Sequence, residues 1–196
     1  MISRYRKKNA SHDRMLGRVF GRMPLSPNAW TVLSLAAVLP VVYFILQEQF
    51  AAAAAFLLVA SLFDAVDGAV ARARNAATKQ GAYLDTIADR YVEFIAVIGL
   101  FFIPLPHVGI PAQAWVAAYV FGSMLTTYAK AAAKEKGLVR QEFAIGMLER
   151  PERMALLFLA LLAGAASTLY LVYVIGIAAV MANATAFQRI RAALRS

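Results

Sequence analysis

Apolar and polar positions fall into long blocks along this chain rather than into short alternations. Charge-free stretches run from Met23 to Gln47, Gln49 to Phe63, Phe94 to Ala129 and Met154 to Gln188. A membrane-spanning helix needs roughly 20 mainly apolar residues. The last two stretches hold 36 and 35 residues, too many for one span, and each has breakers near its middle. Pro104, Pro106, Gly109 and Pro111 divide the first of them, and Gly164 to Ser167 turn the second. The pattern predicts six helices, over about 28–47, 50–74, 80–103, 111–136, 152–167 and 169–193. A short amphipathic helix over about 10–22 is expected along the interface, with Met15, Leu16, Val19 and Phe20 facing lipid. The expected fold is an all-α integral membrane protein: six transmembrane helices behind a juxtamembrane amphipathic helix. One domain fills residues 1–196, a basic interfacial segment over 1–22 and the bundle over 23–196.

Composition excludes the soluble alternative. The chain is 61% hydrophobic and 16% charged, with a mean hydropathy of +0.62. A soluble domain is about 45–50% apolar and about 25% charged. Disorder is excluded by the same figures. There is no cysteine, hence no disulfide, thiolate nucleophile or Cys-ligated metal, and two histidines (His12 and His107) exclude a His-rich metal site.

The net charge of +9 points to a membrane surface and away from nucleic acid, because of where the cations sit. Seven of the 20 Lys and Arg residues precede Met23, as a basic segment against an anionic leaflet does. The spanning length of the apolar run after them indicates a retained anchor rather than a cleaved signal. The loops near 48–50, 104–111 and 165–169 carry no Lys or Arg, whereas the segments near 72–80 and 133–151 and both termini hold almost every cation. By the positive-inside rule the basic face is cytoplasmic, which sets the chain in the cell membrane as a multi-pass protein. The run Ala51–Ala55 reads as close helix packing rather than low complexity. No internal repeat is visible.

Ionisable groups inside apolar helices are costly, about 2.5–3.5 kcal/mol each at mid-bilayer, and mark function by default. Asp64 and Asp67 interrupt the second helix near its cytoplasmic end, and Asp85 and Asp89 open the third. Spacings of three and four residues share one helix face, and the short loop over 73–80 folds one helix back beside the other. All four carboxylates are thereby expected to converge near the cytoplasmic surface. A lone Asp paired with Arg72 or Arg90 would only hold helices together; four together cannot all stay ionised without cations. Oxygen ligands alone select Mg²⁺, Mn²⁺ or Ca²⁺, and two such ions form the usual clamp for phosphoryl chemistry. Gly68, Ala71 and Gly81 leave space on or near the same face.

The run Asp64-x-x-Asp67-Gly68-x-x-Ala71-Arg72, eight residues, then Gly81-x-x-x-Asp85-x-x-x-Asp89 resembles the signature of the CDP-alcohol phosphotransferase family at all eight fixed positions. Chance agreement is roughly one in 10¹⁰ per start position. The likeness implies a divalent-metal-dependent enzyme in which an alcohol attacks the phosphorus of a CDP-linked lipid distal to cytidine and displaces CMP. It further implies that Asp64, Asp67 and Asp85 bind Mg²⁺ or Mn²⁺, as two ions, and that Asp89 shares a metal and acts as general base. Gly68, Ala71 and Arg72 would bound the cytidine and diphosphate, with Asp64, Asp67 and Gly81 also at the CDP-lipid site. Pro27-Asn28-Ala29-Trp30-Thr31 resembles the family's Pro-Asn-x-x-Thr element, so Asn28 and Thr31 would face the nucleotide; their alternative role is helix capping. A homodimer is implied by the family alone.

A second basic set bears on the acceptor. Lys130, Arg150, Arg153 and Arg189 come from three helices and suit an anionic ligand, unless they serve only as positive-inside anchors, the reading favoured for Lys134, Lys136 and Arg140. The run Glu149-Arg150-Pro151-Glu152-Arg153, with Lys130 upstream and Gln188-Arg189 downstream, resembles the branch that makes phosphatidylinositol phosphate and archaetidylinositol phosphate. That likeness implies inositol 1-phosphate as the acceptor, bound through its phosphate by the four cations, with Gly137-Leu138 also fitting the branch. No cytidylyltransferase sequence is attached, which points away from members that make soluble inositol-phosphate diesters. The alternatives are glycerol 3-phosphate as acceptor, giving a phosphatidylglycerol phosphate synthase, and, from another class, an ion-coupled transporter whose acids are the ion site. Diacylglycerol and archaeol tails would meet the same apolar surface.

Overall fold

The computed structural model describes residues 15–139, 146 and 148–195. Among them are six long helices: α1 (Pro27–Leu46), α2 (Phe50–Ala73), α3 (Lys79–Ile98), α4 (Ala112–Glu135), α5 (Arg150–Ala166) and α6 (Thr168–Ala193). Each lies within a few residues of the helix expected from the apolar pattern. A 3₁₀ turn over Gly99–Phe101 takes up most of the expected tail of the third. Residues 15–20 are also helical; the start of the expected interfacial helix and Arg140 lie outside the described residues. By length and composition α1, α2 and α6 can cross a membrane. Helix α3 carries Asp85, Asp89, Arg90 and Glu93 within it, and α5 has 17 residues.

The helix ends follow local chemistry. Ser26 Oγ accepts the Ala29 amide (3.2 Å) and Pro27 takes the first helical position, a favoured N-terminal pairing. Asn75, at φ +51°, ends α2, and the Ala76 amide returns to the Ala71 carbonyl at 2.9 Å. Thr78 Oγ1 then accepts the Gly81 amide at 3.0 Å and opens α3. Capping therefore falls to Ser26 and Thr78, and the alternative role weighed for Asn28 and Thr31 is not the one they take.

The chain divides into two compact units, and α1, α2 and α3 each run through both. The first comprises residues up to Val42 and Ala55–Ala96. Its core is Trp30 with Val66 and Val70, against which Leu16, Phe20, Leu25 and Phe63 pack. Phe20 meets Trp30 edge-on at 5.4 Å between ring centroids. Ser34 Oγ donates to the Ala60 carbonyl (3.0 Å), tying α1 to α2. The helical segment 15–20 lies close on α2, for a Cβ at Gly17 would stand 2.9 Å from the Ala69 carbonyl oxygen and 2.8 Å from Ala73 Cβ. This corrects the expected lipid face. Met15 and Val19 are exposed (59% and 57%), but Leu16 and Phe20 turn onto the Trp30 core.

The second unit comprises Tyr43–Ala54 and Val97 onward. Here α6 packs on both α4 and α5. Asn183 Nδ2 donates to the Ala118 and Ala179 carbonyls (2.9 and 2.8 Å), and Gly122 gives it room. The Thr126 hydroxyl reaches the Gly122 and Ala182 carbonyls at 2.7 and 3.1 Å. Ala53 and Ala54 of the alanine run are fully buried. The turn between α5 and α6 is Ser167 alone: its amide closes α5 on the Ala163 carbonyl, and its hydroxyl accepts the Leu169 amide. Gly164, expected in the turn, stays helical and is where Phe50 and Leu171 come close.

Candidate active site

The acids lie on α2 and α3 in the first unit. One carboxylate oxygen from each of Asp64, Asp67 and Asp85 lies within 4.8 Å of the others. Spacing brings Asp64 and Asp67 to one face of α2, and the turn at Asn75 returns the chain so that Asp85 joins them. At this separation each pair of charges repels by about 3.5 kcal/mol at an effective dielectric near 20. The donor set is all hard oxygen, so the residues fit a divalent cation such as Mg²⁺ or Mn²⁺. Asp89, one turn beyond Asp85, is outside the three-oxygen group and lies 4.0 Å from Arg90, whose Nη1 donates to buried Glu93 at 2.8 Å.

A cavity of about 310 Å³ adjoins the acids. Asn28, Thr31, Asp67, Gly68, Ala71, Arg72, Gly81 and Asp85 line it, so every residue expected at the donor site except Asp64 reaches its wall. Small residues shape it. A Cβ on Gly68 would stand 3.1 Å from Arg72 Nη1, and one on Gly81 3.9 Å from Asn28 Oδ1. Besides lining the cavity, Thr31 makes a contact that the sequence did not disclose: its hydroxyl donates to Asp67 Oδ2 at 2.8 Å. Asp67 is buried, so that bond fixes which way its carboxylate turns. Pro27 also lines the wall, and Ser26, Ala76, Ala77, Thr78 and Ala82, which were not anticipated, complete it. The turn after α2 that carries Ala76, Ala77 and Thr78 depends on Asn75 adopting a left-handed conformation, for which the sequence offers only the residue type.

The cations lie in the second unit, on α4, α5 and α6. Arg153 and Arg189 are buried (2% and 6% exposed), while Lys130 and Arg150 are half-buried. Arg189 Nη1 donates to the Thr126 carbonyl (3.0 Å), and its Nη2 lies 3.9 Å from Glu149. Burial of this kind is not what a topology anchor needs, since an anchoring cation gains most by reaching water.

Carboxylates gathered beside a cavity walled by small residues, in a chain with three helices that can cross a bilayer, fit a metal-assisted reaction on a membrane substrate. Residues 24–187 match the family model described as CDP-alcohol phosphatidyltransferase, and the chain belongs to that family. It is a membrane enzyme, a transferase of phospholipid biosynthesis, which sets aside the transporter. The archaetidylinositol phosphate synthase of Pyrococcus horikoshii is 29% identical over 163 residues, 82% of this chain and 81% of that one. The CDP-diacylglycerol–serine O-phosphatidyltransferase of Mycobacterium tuberculosis is 39% identical over 79 residues, covering 38% of this chain and 28% of its own. The phosphatidylinositol phosphate synthase of M. tuberculosis is similar in structure at 26% identity. With manganese and citrate it gives a TM-score of 0.80, covering 93% of this chain and 88% of its own; with CDP-DAG bound, 0.77, covering 92% of each.

Proposed function

We propose that the chain transfers the phosphatidyl-type group of a CDP-lipid, built on diacylglycerol or archaeol, to inositol 1-phosphate and releases CMP. The observation that carries the acceptor assignment is the burial of two guanidinium groups, Arg153 and Arg189, on neighbouring helices of the second unit. Such a pair is stabilised by an anion, and Arg presents the fork that a phosphate accepts bidentately. Lys130 and Arg150 add to the same site. The similarity to synthases named for inositol phosphate products supports the reading.

In this reading Asp64, Asp67 and Asp85 hold divalent cations, with Asp89 completing a second site. A bound cation would neutralise the diphosphate and the departing CMP. Asn28, Gly68, Ala71, Arg72 and Gly81 receive the cytidine and diphosphate, while Thr31 orients Asp67. Asp89 takes the proton from the acceptor hydroxyl as its oxygen bonds to the phosphorus distal to cytidine and the bond to CMP breaks. Arg90, whose Nη1 donates to Glu93 at 2.8 Å, lies 4.0 Å from Asp89. All six helices span the cell membrane, with the basic segments and the acids at the cytoplasmic face, in a single domain that pairs as a homodimer.

The test is release of CMP from CDP-diacylglycerol and from CDP-archaeol by purified protein, offered inositol 1-phosphate, glycerol 3-phosphate, inositol or serine. Release is expected with inositol 1-phosphate, lost in excess chelator and restored by Mg²⁺ or Mn²⁺. Preference for glycerol 3-phosphate would move the assignment to a phosphatidylglycerol phosphate synthase; preference for an uncharged acceptor would remove the anion role of the buried arginines.

A further inference from the structure

Arg74 follows α2 directly, and its guanidinium points to neither the acids nor the cavity. Nε and Nη2 donate to the Gly21 carbonyl (3.1 and 2.9 Å), Nη1 to the Leu25 carbonyl (2.7 Å), and Nη2 also to the Met23 carbonyl. These three oxygens belong to the non-helical stretch between the segment 15–20 and α1. None of them accepts a backbone amide among the described residues. One exposed side chain therefore takes up three carbonyls that would otherwise turn to water. Among the described residues Arg74 has no carboxylate partner.

The stretch so held leads straight into the cavity wall. Ser26, Pro27 and Asn28 follow Leu25 and line the cavity, as do Gly68, Ala71 and Arg72 on the helix that Arg74 ends. A second contact sets the same approach: Gly17 has no Cβ and lies against Ala69 and Ala73. We propose that Arg74 is a positioning residue for the donor pocket, clamping Gly21–Leu25 to the end of α2 so that Asn28 stands opposite Gly68 and Arg72. This rests on the reading of that cavity as the CDP-lipid site. Lysine cannot replace it well, because three carbonyls spread over five residues need the separated donors of a planar fork.

The experiment compares Arg74→Gln and Arg74→Lys with the unaltered protein in two measurements. Steady-state CMP release should show the KM for CDP-lipid raised about tenfold or more in Arg74→Gln, kcat held within about twofold, and Arg74→Lys between the two. Hydrogen exchange without ligand should show faster exchange at the amides of residues 21–29 than in the unaltered protein, with α4 to α6 unchanged. Unaltered exchange and unaltered donor KM in both variants overturn the proposal. So does a fall in kcat at constant KM, which would place Arg74 in the chemistry. Failure of both variants to fold also overturns it, because the clamp would then hold the whole chain rather than a pocket wall. Asp67→Asn separates the underlying reading. If that variant keeps the donor KM and donor binding of the unaltered protein, the cavity is not the donor site; if it loses them while Arg74 variants do not, only the clamp fails.

Discussion

Replacing Thr31 by Val removes one hydroxyl and almost no volume, and the structure says what should follow. The hydroxyl donates to Asp67 at 2.8 Å, and Asp67 is 5% exposed. Hydrogen bonds to a charged group contribute about 1.5–3 kcal/mol, and supporting groups behind a metal ligand are worth about 10- to 100-fold in affinity or activity. The loss should appear in cation binding, because Asp67 shares the 4.8 Å cluster with Asp64 and Asp85. We expect Thr31→Val to bind Mn²⁺ about 10- to 100-fold more weakly by calorimetry in detergent, and to need correspondingly more metal for CMP release. Thr31→Ser keeps the donor and should stay near the unaltered protein. Equal Mn²⁺ affinity in Thr31→Val and the unaltered protein would refute the orienting role. Equal loss in Thr31→Ser would assign the effect to the methyl group instead.

The remaining expectations are independent of that bond. Asp89→Asn should abolish CMP release while equilibrium binding of CDP-lipid changes little; full turnover would remove Asp89 as the base. Neutralising Arg153 or Arg189 should raise the acceptor KM by roughly 10- to 100-fold with donor KM unchanged, from the loss of one charge-assisted phosphate contact; unaltered acceptor kinetics would return them to the role of anchors. Single cysteines at Gln113 and Ala77 in this Cys-free chain should label from opposite sides of the membrane with an impermeant reagent, and labelling from one side contradicts six spans. Gly122→Ala should destabilise by about 1–3 kcal/mol in thermal unfolding, because its Cβ would stand 2.9 Å from the Asn183 backbone nitrogen, whereas Gly176→Ala meets Trp115 at an ordinary 3.6 Å and should be tolerated. Equal losses at the two glycines would show that helix packing is not limiting at Gly122.

The grouping of Asp64, Asp67 and Asp85 was legible because charge in an apolar helix is conspicuous and helical spacing fixes which face it shares; Asp89, expected to converge with them, lies outside their group of oxygens. The helices were legible for the same reason, their ends marked by Pro, Gly and charge. The apolar contacts were not. In a bilayer, side chains facing lipid and side chains facing protein are equally apolar, so nothing distinguished Leu16 and Phe20, which pack on Trp30, from Met15 and Val19, which do not. Thr31 was found through its motif, but its bond to Asp67 joins residues 36 apart and depends on how α1 meets α2. Arg74 passed unnoticed because an arginine after a helix reads as one more inward-facing cation; its partners are carbonyls, which leave no mark in a sequence. Gly164 was misread because glycine serves close packing as well as turns.

The single-residue turn at Ser167 has a consequence for the register of the second unit. Helices α5 and α6 are joined with no slack, so the height of Arg189 relative to Arg150 and Arg153 is set by counting residues, at about 1.5 Å of rise and 100° of rotation for each. One residue inserted within α6 between Ser167 and Arg189 would swing the guanidinium about a quarter-turn away from the Thr126 carbonyl and the start of α5. Two opposite single-residue changes on the same helix, an insertion and a deletion a turn apart, would bring it back. The unit thus behaves like a vernier with its zero at Ser167: composition and hydropathy can drift along both helices, but length cannot.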